Sequence, residues 1–259
     1  MELTTLLAIA LAGALASPLG GAMALCRRPT TLALSIAVGF AAGALLGAFA
    51  FEMLPKAAQM ASLAIAIAGF AGGFAFLYAL DLFVHRGASA GDKASQRDWV
   101  RSVRRRRRSR GDDVTVLAGG TSAEELIEGL TIGVSAASDA SMGLVVGLAI
   151  VIDNVSEALS IGQLILEKGG ERPARRILGW TGLIGAALFV SAMAGWFLLR
   201  SLSQGLLGLL LAGGAGAMFY LTMTELVPEA ESHQFQQSSA LAAAAGLLVI
   251  FSLSHLSGR

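Results

Sequence analysis

Glu124-Glu125-Leu126-Ile127-Glu128-Gly129-Leu130-Thr131-Ile132-Gly133 and, further along, Asp153-Asn154-Val155-Ser156-Glu157-Ala158-Leu159-Ser160-Ile161-Gly162 follow one pattern. Each reads acid, polar, two variable positions, Glu, small, Leu, hydroxyl, Ile, Gly. Each also lies inside an apolar run long enough to cross a bilayer, which needs about 20 residues of helix. An ionisable side chain at that depth is unfavourable, by about 3 kcal/mol at a helix centre. The five acids of the two stretches would together cost on the order of 15 kcal/mol if left charged and uncompensated. They are therefore either protonated or balanced by cations.

The rest of the chain supports the membrane reading. Of its 259 residues 55% are apolar and only 14% charged, and 32 are glycine, a small residue that lets membrane helices approach closely. The single cysteine, Cys26, rules out a disulfide framework and a thiolate metal cluster. Apolar runs predict an all-α, polytopic membrane protein with eight spans in a 3+2+3 arrangement, forming one transmembrane domain over residues 1–259. The spans are Leu3–Leu25, Thr31–Leu54, Ala61–Val84, Val114–Ala137, Met142–Leu166, Ile177–Leu199, Leu206–Val227 and Ala240–Leu256. Pro18 is expected to kink the first, its freed carbonyl being met by a neighbouring helix. That span is too long, and Glu2 too acidic, for a cleaved signal segment.

Basic residues orient the chain. All Lys and Arg except Lys56, Arg200 and Arg259 fall in the loops after spans one, three and five. By the positive-inside bias those loops are cytoplasmic, and with eight spans both termini are extracytoplasmic. The stretch 86–113, with Arg104 to Arg108 in a row, is the long hydrophilic cytoplasmic loop. It reads as a topology determinant near lipid headgroups rather than a nucleic-acid site.

On this topology the two acidic stretches reach the same depth from opposite faces, roughly 15–21 Å in at a rise of ~1.5 Å per residue. The short connection between spans four and five makes those spans antiparallel neighbours. Spacing i, i+1, i+4 puts Glu124, Glu125 and Glu128 on one side of their helix, and Asp153, Asn154 and Glu157 likewise. Facing each other they would form an oxygen-only cage, suited to one or two divalent cations with Glu128 and Glu157 bridging. Glu225, in Glu225-Leu226-Val227-Pro228-Glu229, lies near the inner end of span seven and would serve the exit side. Glu52 is either an attractor at the outer mouth or an interfacial acid beside Lys56. Asp81 reads as a solvated helix-end charge. Thr131, Ser135 and Ser160 either line a polar path or bond to the preceding turn.

At these residues the chain resembles the ZIP (Zrt/Irt-like) metal transporters, as a divergent, bacterial-type member. The resemblance implies eight spans, both termini outside, and a variable loop between spans three and four. It also implies motifs of the form His-Asn-x-Pro-Glu-Gly in spans four and five and Glu-x-x-Pro-Glu in span seven. Carried over by position, Glu128 and Glu157 match the bridging acids, and Glu124 and Asp153 stand where His is usual. Glu125 and Asn154 match the second polar ligand, and Glu225 matches the acid of span seven. The motif prolines are replaced by Ile127 and Ser156, and the second Gly by Ala158. Oxygen donors in place of imidazole favour harder ions, although carboxylates also bind zinc.

The resulting expectation is an inner-membrane carrier of divalent metal (zinc, iron or manganese) toward the cytoplasm. Its partners would be the metal ions and membrane lipids, with no cofactor, no nucleic acid and no enzymatic activity; a homodimer is left open. The alternative is a proton-linked cation carrier or antiporter using the same acids as proton sites. An intramembrane hydrolase is disfavoured because no His lies at mid-membrane and Asp153 has no second Asp near it.

Overall fold

A computed structural model describes residues 2–84, 113–169, 171–231 and 235–257. The Arg-rich stretch, His85 and His233 lie outside the described residues, as does the side chain of Asp81. All regular structure among the described residues is helical, and eight helices have membrane-crossing length. Seven pass on hydropathy as well. The other, span four (Asp113–Ser138, 26 residues), carries the first acidic stretch.

The boundaries have local causes. Thr30 caps span two by accepting a hydrogen bond from the Ala33 N–H at 3.2 Å. Asp139 caps span five, Ala140–Lys168, accepting from the Ser141 N–H at 2.9 Å. Gly169, with φ +66°, ends that span in a conformation that suits glycine. Span six starts at Pro173, earlier than expected, because proline is well placed in a first helical turn.

Two spans run past prolines expected to end or loosen them. Span two continues from Thr31–Gly47 through a π turn, Ala48–Met53, into Leu54–Met60. Span seven continues from Gln204–Leu221 through a second π turn, Thr222–Leu226, into Val227–Glu231. In each, the residue just before the proline donates its N–H five residues back, Leu54 to Phe49 and Val227 to Thr222. Proline has no N–H to donate, and the backbone accommodates it by slipping one residue in register. Both turns contain a Glu three residues before the proline, Glu52 and Glu225.

Pro18 leaves span one an unbroken helix, Glu2–Cys26. The carbonyl four residues earlier, on Ala14, is covered by the backbone of Gly185 in span six, where a Cβ would collide with it.

Packing divides the spans into two groups of four. Spans one, four, five and six pack on one another, four against six most extensively, with Gly129 and Gly133 against the span-six backbone. In the other group span two packs on span eight (Gln236–Ser257) and span three on span seven. The groups meet where span two touches span five and span seven touches span four. Spans four and five are neighbours as expected, but their main partners are six and one, so the groups cut across chain order.

Candidate metal centre

Glu125, Glu128, Asp153 and Asn154 are all buried, Glu125 and Asn154 to within 1% of full burial. Glu124 and Glu157 sit half-buried on the shoulders of the same helices. Leu126 and Leu130 point the opposite way and are exposed on the lipid side. The i, i+1, i+4 face thus turns inward on both helices.

Side-chain contacts hold this face in place. The Asn154 amide donates to Glu125 Oε2 at 3.3 Å, and the Ser191 hydroxyl of span six lies 3.2 Å from the Glu125 carbonyl. The Glu128 and Asp153 carboxyls lie within hydrogen-bonding reach of each other. Glu125 Oε1, Glu128 Oε2 and Asn154 Oδ1 are buried without any partner. An unpartnered buried acceptor costs about 1–3 kcal/mol, so three together mark a site rather than a packing accident.

Glu125 and Glu128 border a cavity with about 40 Å³ of room for water-sized molecules. It is lined by Glu124, Glu125, Glu128, Asp153 and Glu157, by the hydroxyls of Ser156 and Ser160, and from span seven by Glu225 and Glu229. Among the described residues no Lys or Arg lines it. Most of the lining acids sit near the middle of spans four and five, while Val38 early in span two and Glu229 at the end of span seven extend the wall toward the helix ends nearest the basic loops. Toward the other face Phe49, Met53, Ile132, Val146, Ile150 and Met218 are buried in one apolar cluster that closes the way.

The arrangement differs from the sequence expectation in three respects. The acids do not form a cage between spans four and five alone, because spans two and seven supply part of the wall. Among the described residues no three acidic, His or Cys groups converge closely enough to ligate one ion together. The buried acids and the half-exposed Glu124 and Glu157 are spread around the cavity, and rotamer changes would be needed to gather them. Third, Glu229 lines the cavity beside Glu225. Its signal was present in the sequence, since 225 and 229 have the i, i+4 spacing of 124/128 and 153/157.

Thr131 bonds back to the Ile127 carbonyl at 2.8 Å, the local alternative for a helical hydroxyl, whereas Ser160 Oγ faces the cavity without a partner. Glu52 is not on the cavity wall; it hydrogen-bonds Ser254 of span eight. Lys56 pairs with Asp139, at 3.0 Å, rather than with Glu52. Asp139 was not singled out from the sequence, being 83 residues from its partner. This pair ties the end of span two to the turn between spans four and five, and so joins the two helix groups at one face. The hydroxyl of Ser141 and the Lys56 ammonium hold the Asp139 carboxyl at about 2, below its usual 3.8.

A helical bundle of membrane-length spans with an acid-lined cavity between two helix groups defines a multi-pass integral membrane protein. No family model matches the chain. It is 28% identical over 247 residues to the protein named zinc transporter ZupT of Corynebacterium glutamicum, covering 91% of this chain and 92% of that protein. It is likewise 28% identical over 210 residues to the zinc transporter ZupT of Escherichia fergusonii, covering 79% and 78%. The motifs and this similarity point the same way, to the ZIP metal transporters, which the chain resembles over most of its length.

Proposed function

We propose that the protein moves divalent metal cations (zinc, iron or manganese) across the bacterial inner membrane toward the cytoplasm, through a site formed by Glu124, Glu125, Glu128, Asp153, Asn154 and Glu157. The relatives' name as zinc transporters supports a divalent cargo. The observation that carries the reading is the unpartnered, buried oxygens of Glu125 and Glu128 on a cavity wall with no basic side chain among the described residues. Such a wall attracts a doubly positive ion and gives it ligands in place of its water. Glu128 and Glu157 would bridge a pair of ions. Glu225 and Glu229 would receive the ion on its way inward, and Glu52 would draw it to the outer mouth. The closed apolar cluster on the outer side and the extension of the cavity wall to Val38 and Glu229, toward the inner helix ends, support release toward the cytoplasm.

Uptake of divalent metal into proteoliposomes, with elemental analysis of the purified protein, tests the proposal. The Glu128→Gln, Glu157→Gln double variant should lose both bound metal and uptake; retained metal would refute the site. The closeness of the Glu128 and Asp153 carboxyls favours a second reading, in which the same acids carry protons. That reading predicts a proton flux that survives chelation of all divalent metal.

A further inference from the structure

Among the described residues, every side-chain heteroatom on the cavity wall is an oxygen, from seven carboxylates and the hydroxyls of Ser156 and Ser160; the remaining lining is Val38, Leu221 and Leu226. No imidazole, thiol or thioether of a described residue is on that wall. Among the described residues Cys26 is exposed at the end of span one, and His255 is exposed on span eight. Met53 and Met218 are packed into the apolar cluster, and Met223 is 44% exposed.

Two physical consequences follow. Nitrogen and sulfur donors are what separate zinc most strongly from manganese, whereas carboxylate, hydroxyl and water oxygens suit the harder ions. The room is also generous. A single water needs about 10–15 Å³ by this measure, so 40 Å³ accommodates an ion that keeps part of its hydration shell. That favours six-coordinate oxygen geometry over the closed four-coordinate geometry typical of zinc sites.

We infer that the cavity is a centre for hard, six-coordinate divalent cations of the manganese class, and that Glu124 and Asp153 set this preference. The inference rests on the transport reading above and narrows its cargo. Zinc binds more tightly than manganese at almost any site, so the preference appears as a compressed ratio rather than an inverted order.

The test uses the full chain in proteoliposomes, with uptake of Mn2+ and Zn2+ measured singly and in competition. In the wild type, Zn2+ should be favoured over Mn2+ by less than about tenfold. A Glu124→His variant, which introduces one imidazole, should raise that ratio by about tenfold or more, and Asp153→His should act in the same direction. Cys26→Ser should leave the ratio unchanged, since that thiol is remote from the cavity. A wild-type preference for zinc well above tenfold overturns the inference, as does an unchanged ratio in a His variant that still takes up metal. Should both His variants fail to fold, the wild-type ratio still decides. Absence of uptake for every divalent ion would instead refute the transport reading, and the inference with it.

Discussion

Replacing Glu128 by Gln separates the two roles of that side chain, because the change has opposite consequences for the metal-free and metal-bound protein. Glu128 is 6% exposed, and its Oε2 has no partner. A charged acid at such depth costs about 3 kcal/mol. The amide removes that liability, and its N–H2 group can donate to the carboxylate oxygens around the cavity. The metal-free variant should therefore melt at or slightly above the wild type. With Mn2+ at about 100 times its dissociation constant, binding should stabilise the wild type by about 2.7 kcal/mol. For a chain of this size that raises the melting temperature by roughly 5–11 °C. Losing one anionic ligand should weaken binding at least about tenfold, or 1.4 kcal/mol, which at the same Mn2+ concentration removes half or more of the rise. The assay is thermal unfolding of detergent-purified protein, with and without Mn2+ and Zn2+. An undiminished metal-dependent rise in the variant would refute the assignment of Glu128 as a ligand.

Three further outcomes follow from the geometry. Asp139, held at about 2 against 3.8 when unfolded, adds stability that is complete above about pH 4 and lost as pH falls toward 2. The shift is worth about 2 kcal/mol at face value, but with the Asp139 side chain 37% exposed about 1 kcal/mol is expected, and an Asp139→Asn melting profile that keeps the wild-type loss between pH 4 and 2 would contradict it. Gly185→Val places side-chain atoms against the backbone of Ala14, which cannot yield as a side chain would. It should destabilise by about 3 kcal/mol or more, seen as a fall in monodisperse protein on size-exclusion chromatography, whereas Gly182→Val, at an open position, should not. Glu229→Gln should slow uptake severalfold while bound metal, read by elemental analysis, stays near wild type; loss of bound metal would place Glu229 among the primary ligands instead.

Much of the fold is legible in the sequence because lipid allows few alternatives. Long apolar runs have to be helices that satisfy their own backbone, and the acids' i, i+1, i+4 spacing has to put them on one face. What local pattern does not carry is which helices meet. Glycines mark close contact, yet nothing near Gly129 or Gly133 names span six as the partner. The joining of Lys56 to Asp139 is equally invisible, since neither residue has an unusual neighbourhood. Span seven illustrates a third obstacle. Pro228 reads as a helix end, which hides the possibility that the backbone slips register and carries Glu229 onto the cavity wall. The departures of Glu124 and Asp153 from the family's usual His positions are legible, by contrast, because residue chemistry needs no fold to be read.

The paired π turns have a consequence for how spans two and seven meet their surroundings. Each wedges an extra residue into its rod, so the two halves are rotated against each other by about 100°, the angle one residue subtends in a regular helix. A stripe of side chains that follows lipid along one half therefore turns toward protein in the other. Deleting a single residue within Thr222–Leu226 would straighten the rod, and with it swing everything beyond Pro228 away from the acid-lined hollow it now borders.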